Sequence, residues 1–492
     1  MPADGRRRGP PGNPRGGPRE SQSREGQSRE SQSRENQSRD DYRPLPPREL
    51  NARELATFVL FRVAEDGAYA SRVLDAELSR ARLDPRDAAL ATEIVYGSLR
   101  ALPAIDAAYS GHLRRAPETL DPMVRATLRA ASYQLLHLGR VPSHAIVDSA
   151  VGLVVHERGR ILGGVVNAVL RKVAAMRPAE PKPPTAIVAP EWLGAALVRG
   201  LGEQRAADFL AARSLPPPTA LRVEDPTPGA RDALIARIRA VREHAEVLPG
   251  AVSPLAVLVR GGGDPRLLPG YAEGVFTVQE EGAQAVALAV GALPGEQIAD
   301  ACAGHGGKTT FFARAVGAQG RVTALDLYEE KLDRIAPELA RLHLPSARLE
   351  TVAVDLAVGA GGLDGRFDRV LVDAPCTGLG TVHRRPEILL RVGSEDPARL
   401  AELQVQIMTH AAALVRPGGT LVYAVCSPTM EEGAGVVAQV SAALPTLRPH
   451  PEAPPLAAAT PDADGMLRLG PWSDPGGHGP DAYQVYRWQK VR

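Results

Sequence analysis

The chain has 492 residues, a formal net charge of +1 and three cysteines. The length leaves room for about two or three domains. The near-neutral charge excludes a histone-like basic binder and an acidic tail protein, so any nucleic-acid contact must come from local basic patches.

Three cysteines exclude a disulfide scaffold and their spacing suits no zinc site, so no metal is expected and a reducing, cytoplasmic compartment is. The N-terminus MPADGRRRGPPGNPRGGPRE has basic residues with no apolar stretch behind them. No later run reaches the roughly 18 apolar residues of a membrane span, so neither export nor membrane insertion is expected.

Taken in chain order, residues 20–40 repeat Ser-Arg-Glu-(Ser/Gly/Asn)-Gln without one apolar residue. Nothing there offsets the entropy of ordering, so residues 1–44 are expected to be a disordered tail. From Asn51 the pattern turns helical: Asn51 with Glu54 forms a capping box, and Leu55, Phe58, Val59 and Val63 share one face. Similar runs follow at 93–100, 124–138, 144–156 and 163–173 with no alternating pattern between them, so residues 45–178 are expected to be an all-α domain. The proline-rich MRPAEPKPPTAIVAP (176–190) marks a linker. Residues 179–275 read as a small α+β connector, with a helical EWLGAALVRGLGEQRAADFLAA, then TALRVE and a helix near 231–243.

From Phe276 to the end, QIADACAG, VTALDL, LETVAVD, RVLVDAP and TLVYAVCS are short apolar runs separated by helical segments. That alternation predicts an α/β domain with a doubly wound parallel sheet over 276–492. Ligands of such sheets sit beyond the carboxyl ends of the strands, where this chain has Asp300, Asp326, Asp355, Asp373 and Cys426 in succession.

The glycine loop DACAGHGGKTT (300–310) is neither of two common phosphate loops. A Walker A loop needs glycine where Cys302 stands, and the dinucleotide fingerprint needs glycine where Thr309 stands. What remains is a glycine-rich turn after the first strand, with an acid after the second (Asp326) suited to ribose hydroxyls and another after the third (Asp355) suited to an adenine amino group. These parts suit S-adenosylmethionine, although either acid alone also reads as a helix N-cap. The two later cysteines then acquire a chemical reason. Carbon 5 of a pyrimidine is a poor nucleophile until a thiolate adds at carbon 6, and once methylated it must lose its proton so that the thiolate can leave. One cysteine near the methyl donor answers the first need, and a second group answers the other.

ADACAGHGGKTT, VDAPCTGLGTVHRRPEI and YAVCSPTMEEG, preceded by FTVQEEGAQAVA, resemble the Sun-type (RsmB/NOP2) RNA 5-methylcytosine methyltransferases. LDPRDAALATEIVYGSLR, YQLLHLGRVPSHAIVDSAV and GVVNAVLRKV are similar to the NusB-like RNA-binding domain of the bacterial 16S ribosomal RNA enzymes in that family. The resemblance covers residues from about 47 onward, and it implies a class I, Rossmann-like methyltransferase domain. It further implies that Cys426 is the nucleophile, that Cys376 assists release, that Asp373 bonds the polar edge of the cytosine and that Lys308 approaches the base. Cys302, Ala303, Gly304, His305, Gly306, Gly307 and Lys308, with Asp326, Asp355 and Asp373, would bind S-adenosylmethionine. His305 stands where the family pattern AAPGGKT has proline, so a looser turn is expected, with the imidazole toward the methionine carboxylate. The basic TVHRRPEI (381–388) is expected to face RNA. Ribosomal RNA, 16S first, is the expected partner. A transfer RNA enzyme is the near alternative, and a NusB-like transcription factor with an inert methyltransferase domain is the distant one.

Overall fold

The protein is described by a computed structural model over residues 50–182, 189–212, 217–345, 348–456, 459–474 and 479–491. The repeat tail expected over 1–44 lies outside the described residues. Among the described residues seven α-helices form the N-terminal part: α1 (Ala52–Glu65), α2 (Ala70–Ala81), α3 (Pro85–Arg100), α4 (Leu102–Ser110), α5 (Pro122–His137), α6 (Ser143–Arg158) and α7 (Arg160–Ala175). The Asn51 side chain accepts from the backbone N–H groups of Arg53 and Glu54 at 3.0 and 3.1 Å, and Glu54 accepts from Asn51 N at 3.2 Å, closing the expected capping box. Asp84 and Asp121 cap α3 and α5, each followed by a proline whose missing N–H costs nothing at that position. Leu55, Val59 and Val63 of α1 pack with Ile94, Val95 and Leu99 of α3 in one buried cluster, and Leu128 and Tyr133 of α5 pack with Val154, Val166 and Leu170 in a second.

The connector is two separate pieces. Helices α8 (Glu191–Leu201) and α9 (Glu203–Ala211) pack Leu193, Leu197 and Phe209 against Leu379, Val382, Ile388 and Ala482, loop residues of the C-terminal part. The rest forms a four-stranded sheet of order β2-β3-β1-β4, with β1 at Thr219–Val223, β2 at Glu246–Pro249, β3 at Ala256–Arg260 and β4 at Phe276–Val278, and helix α10 (Ala230–Val241) between β1 and β2. The sequence reading begins the C-terminal part at Phe276. Backbone pairing joins that strand to the connector, because β4 runs antiparallel to β1 with Val278 opposite Leu221.

The second sheet has the order β10-β12-β9-β8-β5-β6-β7, with β11 paired to β12. Its strands are β5 (Gln297–Ala301), β6 (Arg321–Asp326), β7 (Leu349–Ala353), β8 (Phe367–Asp373), β9 (Val415–Val425), β10 (Leu447–Pro449), β11 (Leu467–Leu469) and β12 (Tyr483–Lys490). β7 to β9 along that order pair in parallel, as the strand–helix alternation predicts, whereas β12 closes the sheet antiparallel to β9. Helices α11 (Glu281–Val290), α12 (Gly307–Ala315) and α13 (Ile335–Arg341) cover one face through Val286, Phe312 and Ile335. Helices α14 (Asp396–Leu414) and α15 (Val436–Ala443) cover the other through Ile407, Met408 and Val440. Among the described residues no helix is long and apolar enough to cross a membrane.

One buried cation joins connector and sheet. Arg222 on β1 is 1 % exposed. Its guanidinium donates to Glu224 Oε1 at 2.7 Å, Gln279 Oε1 at 2.6 Å, Thr310 Oγ1 at 3.0 Å and the carbonyl of Gly307, where α12 begins, at 2.7 Å. The other Glu224 oxygen accepts from Arg314 on α12 at 2.9 Å. Arg222→Met keeps the bulk and strands a buried carboxylate with one partner fewer, so a loss of about 3 to 5 kcal/mol is expected. Urea unfolding measures it, and a loss below about 1 kcal/mol would mean the network contributes no more than one ordinary hydrogen bond.

Candidate active site

The site lies where β5, β6, β8 and β9 end. β8 and β9 are parallel neighbours with Asp373 opposite Ala424, so the turns that follow them leave the sheet side by side. Cys376 is three residues beyond the end of β8 and Cys426 directly follows β9, which brings their sulfurs to 3.3 Å. All three cysteines are free thiols. The turn at 378–381 lies against Cys426: Gly380 N donates to the Cys426 carbonyl at 2.9 Å, and a Cβ at Gly380 would stand 2.1 Å from the Ala482 carbonyl oxygen. Only glycine allows that approach.

Lys308, in the first turn of α12, reaches across to Asp373 with Nζ 2.5 Å from Oδ2. Burial pushes the Lys308 ammonium down, but the Asp373 carboxylate outweighs it and holds the group above its ordinary value. The pair is therefore an ammonium–carboxylate clamp directly beside the cysteines. The Cys376 thiol is pushed up by its hydrogen bond with Cys426, by burial and by the charges of Cys426, Glu432 and Asp373. Cys302 is pushed up as well, by burial first and then by the carboxylates of Asp326, Asp373 and Asp300, so it remains a neutral thiol.

The glycine loop is held from two sides. Gly306 N donates to the Ala303 carbonyl at 3.0 Å, closing the turn through Gly304 and His305, while Cys302 takes a φ of +65°. Asp326 accepts from Gly304 N at 2.8 Å and from Tyr328 N at 3.0 Å, with Lys331 at 3.6 Å. It thus ties the loop to the end of β6 and is not the N-cap of the following helical turn, which is Tyr328. Asp355 is exposed and accepts from Ala357 N at 2.9 Å, a local turn just beyond β7. Gly307 and Lys308 continue the loop into α12.

Two expectations change. Asp300, at the edge in the sequence reading, is 1 % exposed and accepts from Thr309 Oγ1 at 2.6 Å beneath the loop; burial pushes it up to about 6. It supports the turn and does not line the mouth. The TVHRRPEI stretch is mostly interior and does not present a basic face. Arg384 donates to Asp481 at 3.1 Å and to the Pro218 carbonyl at 2.7 Å, Glu387 is fully buried and accepts from Ala70 N at 3.2 Å, and His383 Nε2 donates to the Phe209 carbonyl at 3.0 Å. The loop is the seat on which the helical part and α9 rest. Arg385 is its exposed cation, 5.9 Å from the Tyr69 ring centroid.

Several residues of the site carry no signal that motif reading uses. Arg72 of α2 lies 3.4 Å from the His305 imidazole, so the helical part touches the glycine loop itself. Glu432, inside the quoted CSPTMEEG motif but without an assigned role, is fully buried behind the two cysteines. The recurrence of Ser and Thr immediately after each cysteine was the available hint.

Three comparisons bear on this arrangement. Residues 287–462 match the family model described as 16S rRNA methyltransferase RsmB/F, and residues 50–175 match that of the NusB family. The chain is 36 % identical over 432 residues to a putative methyltransferase of Mycobacterium tuberculosis, covering 83 % of this chain and 88 % of that protein. It is 30 % identical over 405 residues to the probable ribosomal RNA small subunit methyltransferase B of Bacillus subtilis, covering 79 % and 88 %. Among solved structures, that of PH0851 superposes with a TM-score of 0.73 over 92 % of this chain and 100 % of its own, at 21 % identity. NSun6 from Pyrococcus horikoshii, solved with SFG, gives 0.51 over 62 % and 99 % at 17 % identity. These two likenesses are of fold.

Proposed function

This chain belongs to the RsmB/F family of ribosomal RNA methyltransferases, and from that premise we propose that it methylates carbon 5 of a cytidine in 16S ribosomal RNA with S-adenosylmethionine as donor. The observation that carries the reading is the pair of sulfurs 3.3 Å apart beside the Lys308–Asp373 clamp. Addition at carbon 6 and later elimination need two groups at one place, and an inert domain has no need of either.

The loop fits the cofactor. Gly304 stands at φ +57° with nothing within 4 Å of the place a Cβ would take, an open cradle that any side chain would fill. Asp326 and the exposed Asp355 offer acceptors at the ends of β6 and β7. Residues Cys302 to Lys308 with Asp326, Asp355 and Asp373 hold the cofactor, which supplies an electrophilic methyl group. The NSun6 structure with SFG, an analogue of that cofactor, is in keeping with this.

Cys426 Sγ adds to carbon 6, which moves the carbon 5–carbon 6 π electrons onto carbon 5 and makes it the nucleophile. Asp373 accepts from the cytosine edge while the Lys308 ammonium holds that carboxylate in place. After methylation carbon 5 gives up its proton to solvent, the C–H electrons restore the carbon 5–carbon 6 double bond and the Cys426 sulfur leaves; Cys376 assists by hydrogen-bonding the departing thiolate. Residues 45–178 hold the RNA, and a poorly stacked cytidine is the chemically accessible target.

The test is radiolabelled methyl transfer from S-adenosylmethionine into purified 16S ribosomal RNA and transfer RNA, followed by bisulfite sequencing. Label in transfer RNA alone overturns the substrate, and label at a position bisulfite does not protect overturns the chemistry. A second expectation concerns Asp326→Ala: losing a charged acceptor weakens cofactor binding by about 1.5 to 3 kcal/mol and leaves RNA affinity unchanged. An unaltered cofactor Kd would leave Asp326 with the loop-tying role alone.

A further inference from the structure

Behind the two cysteines lies a carboxylate that the reaction just described does not use. Glu432 belongs to a π-helical turn, Glu431–Gly435, of the kind often found at functional sites. Its Oε1 accepts from Thr377 N at 2.8 Å and Gln404 Nε2 at 3.2 Å, and its Oε2 accepts from the hydroxyls of Thr377 at 2.6 Å, Ser427 at 2.5 Å and Thr429 at 3.2 Å. Thr377 follows Cys376 and Ser427 follows Cys426, so one carboxylate grips both turns. Gln404 adds a bond to the Pro375 carbonyl at 2.9 Å, on the other side of Cys376. The π turn itself is braced: Gln484 Nε2 donates to the carbonyls of Ser427 and Thr429, each at 2.8 Å, and a Cβ at Gly433 would stand 2.1 Å from the Gln484 side chain.

The charges around the pair are unequal. Cys376 faces the Glu432 and Asp373 carboxylates, Cys426 and the Tyr423 phenol. Cys426 interacts with the Lys308 ammonium, the Arg385 guanidinium and the Tyr483 phenol. The Asp373–Lys308 pair lies beside both thiols, so the carboxylate that sets the two sulfurs apart is Glu432, which pushes the Cys376 thiol up. We infer that Glu432 is a positioning residue: its buried carboxylate clamps the turns that carry Cys376 and Cys426 and acts on Cys376 more than on Cys426, so that Cys426 is the sulfur left to attack. The inference rests on the assignment of Cys426 as nucleophile, and it goes further by naming what makes the two cysteines different.

Glu432→Gln separates charge from shape. The amide oxygen still accepts from Thr377 N and Gln404, while the amide nitrogen has two N–H donors for three hydroxyls, which must turn round from donors to acceptors to receive them. Glu432→Asp keeps the charge and shortens the reach. The readout is the pH profile of initial iodoacetamide labelling at each cysteine of the full chain, resolved by peptide mass spectrometry, with no RNA or cofactor present. In the unaltered protein the Cys376 midpoint lies above the Cys426 midpoint. The Gln variant labels Cys376 about tenfold faster below its plateau, a drop of about one pH unit in midpoint. The Asp variant keeps the original Cys376 midpoint and loses methyl transfer.

Equal shifts in both variants would reduce Glu432 to a structural support, and no shift in the Gln variant would remove its charge from the account. A Cys376 midpoint below that of Cys426 in the unaltered protein overturns the inference even if the Gln variant fails to fold. Expected midpoints in a protein that transfers no methyl group to RNA would sink the proposed function and sustain the clamp.

Discussion

Cys426→Ala is expected to abolish methyl transfer while leaving cofactor affinity near that of the unaltered protein. Deleting a covalent nucleophile costs on the order of a millionfold in turnover, which reads as no detectable label in RNA. The substitution is otherwise mild. The hydrogen-bond partner of the Cys426 sulfur is Cys376, and the contacts of the surrounding turn run through the Cys426 backbone and through Ser427. The glycine loop is tied by hydrogen bonds to Asp326 and Arg222. Label transfer, equilibrium binding of S-adenosylmethionine and thermal unfolding measured together separate the outcomes. Retained transfer would move the attacking role to Cys376, and lost binding would place Cys426 in the cofactor site.

Cys376→Ala has the opposite consequence, and the difference follows from the order of steps. With Cys426 intact, addition to carbon 6 and methylation proceed, but release stalls, so a covalent protein–RNA adduct accumulates. The adduct survives denaturing electrophoresis, requires S-adenosylmethionine if the stall follows methylation, and disappears when Cys426→Ala is added. The attacking form is the thiolate, so adduct forms faster as pH rises. The structure adds a reason for the role of Cys376. Its hydrogen bond with Cys426, its burial and the nearby carboxylates all push its thiol up, so at neutral pH it carries a proton beside the sulfur that must leave. An adduct in Cys426→Ala and none in Cys376→Ala would exchange the two assignments.

Much of this was legible in the chain alone because the relevant signals are local. The capping box at Asn51 and Glu54 needs residues three apart, and helical faces and strand–helix alternation need only their own periods. The cysteines sit at the ends of apolar runs, and strands that pair in parallel present those ends along one edge, so placing Asp326, Asp373 and Cys426 together required only the sheet class.

What depends on distant packing was not legible. TVHRRPEI reads as basic and solvent-facing, yet Ala70, Phe209, Pro218 and Asp481, between 97 and 317 positions away, take up its polar groups. The sequence reading begins the C-terminal domain at Phe276, yet Phe276–Val278 pairs with the connector because β1 offers it a free edge. Arg222 and Glu432 look like ordinary surface charges in a sequence, since charged residues are seldom fully buried. Each is buried because tertiary folding surrounds it with complete hydrogen-bonding partners from separate elements, and a lone charge would not survive the desolvation. Spacing along the chain thus determined which residues reach the strand ends. The tertiary structure decided which charges are interior and which sulfur lies beside which, because desolvation and Coulomb energy depend on distance in space.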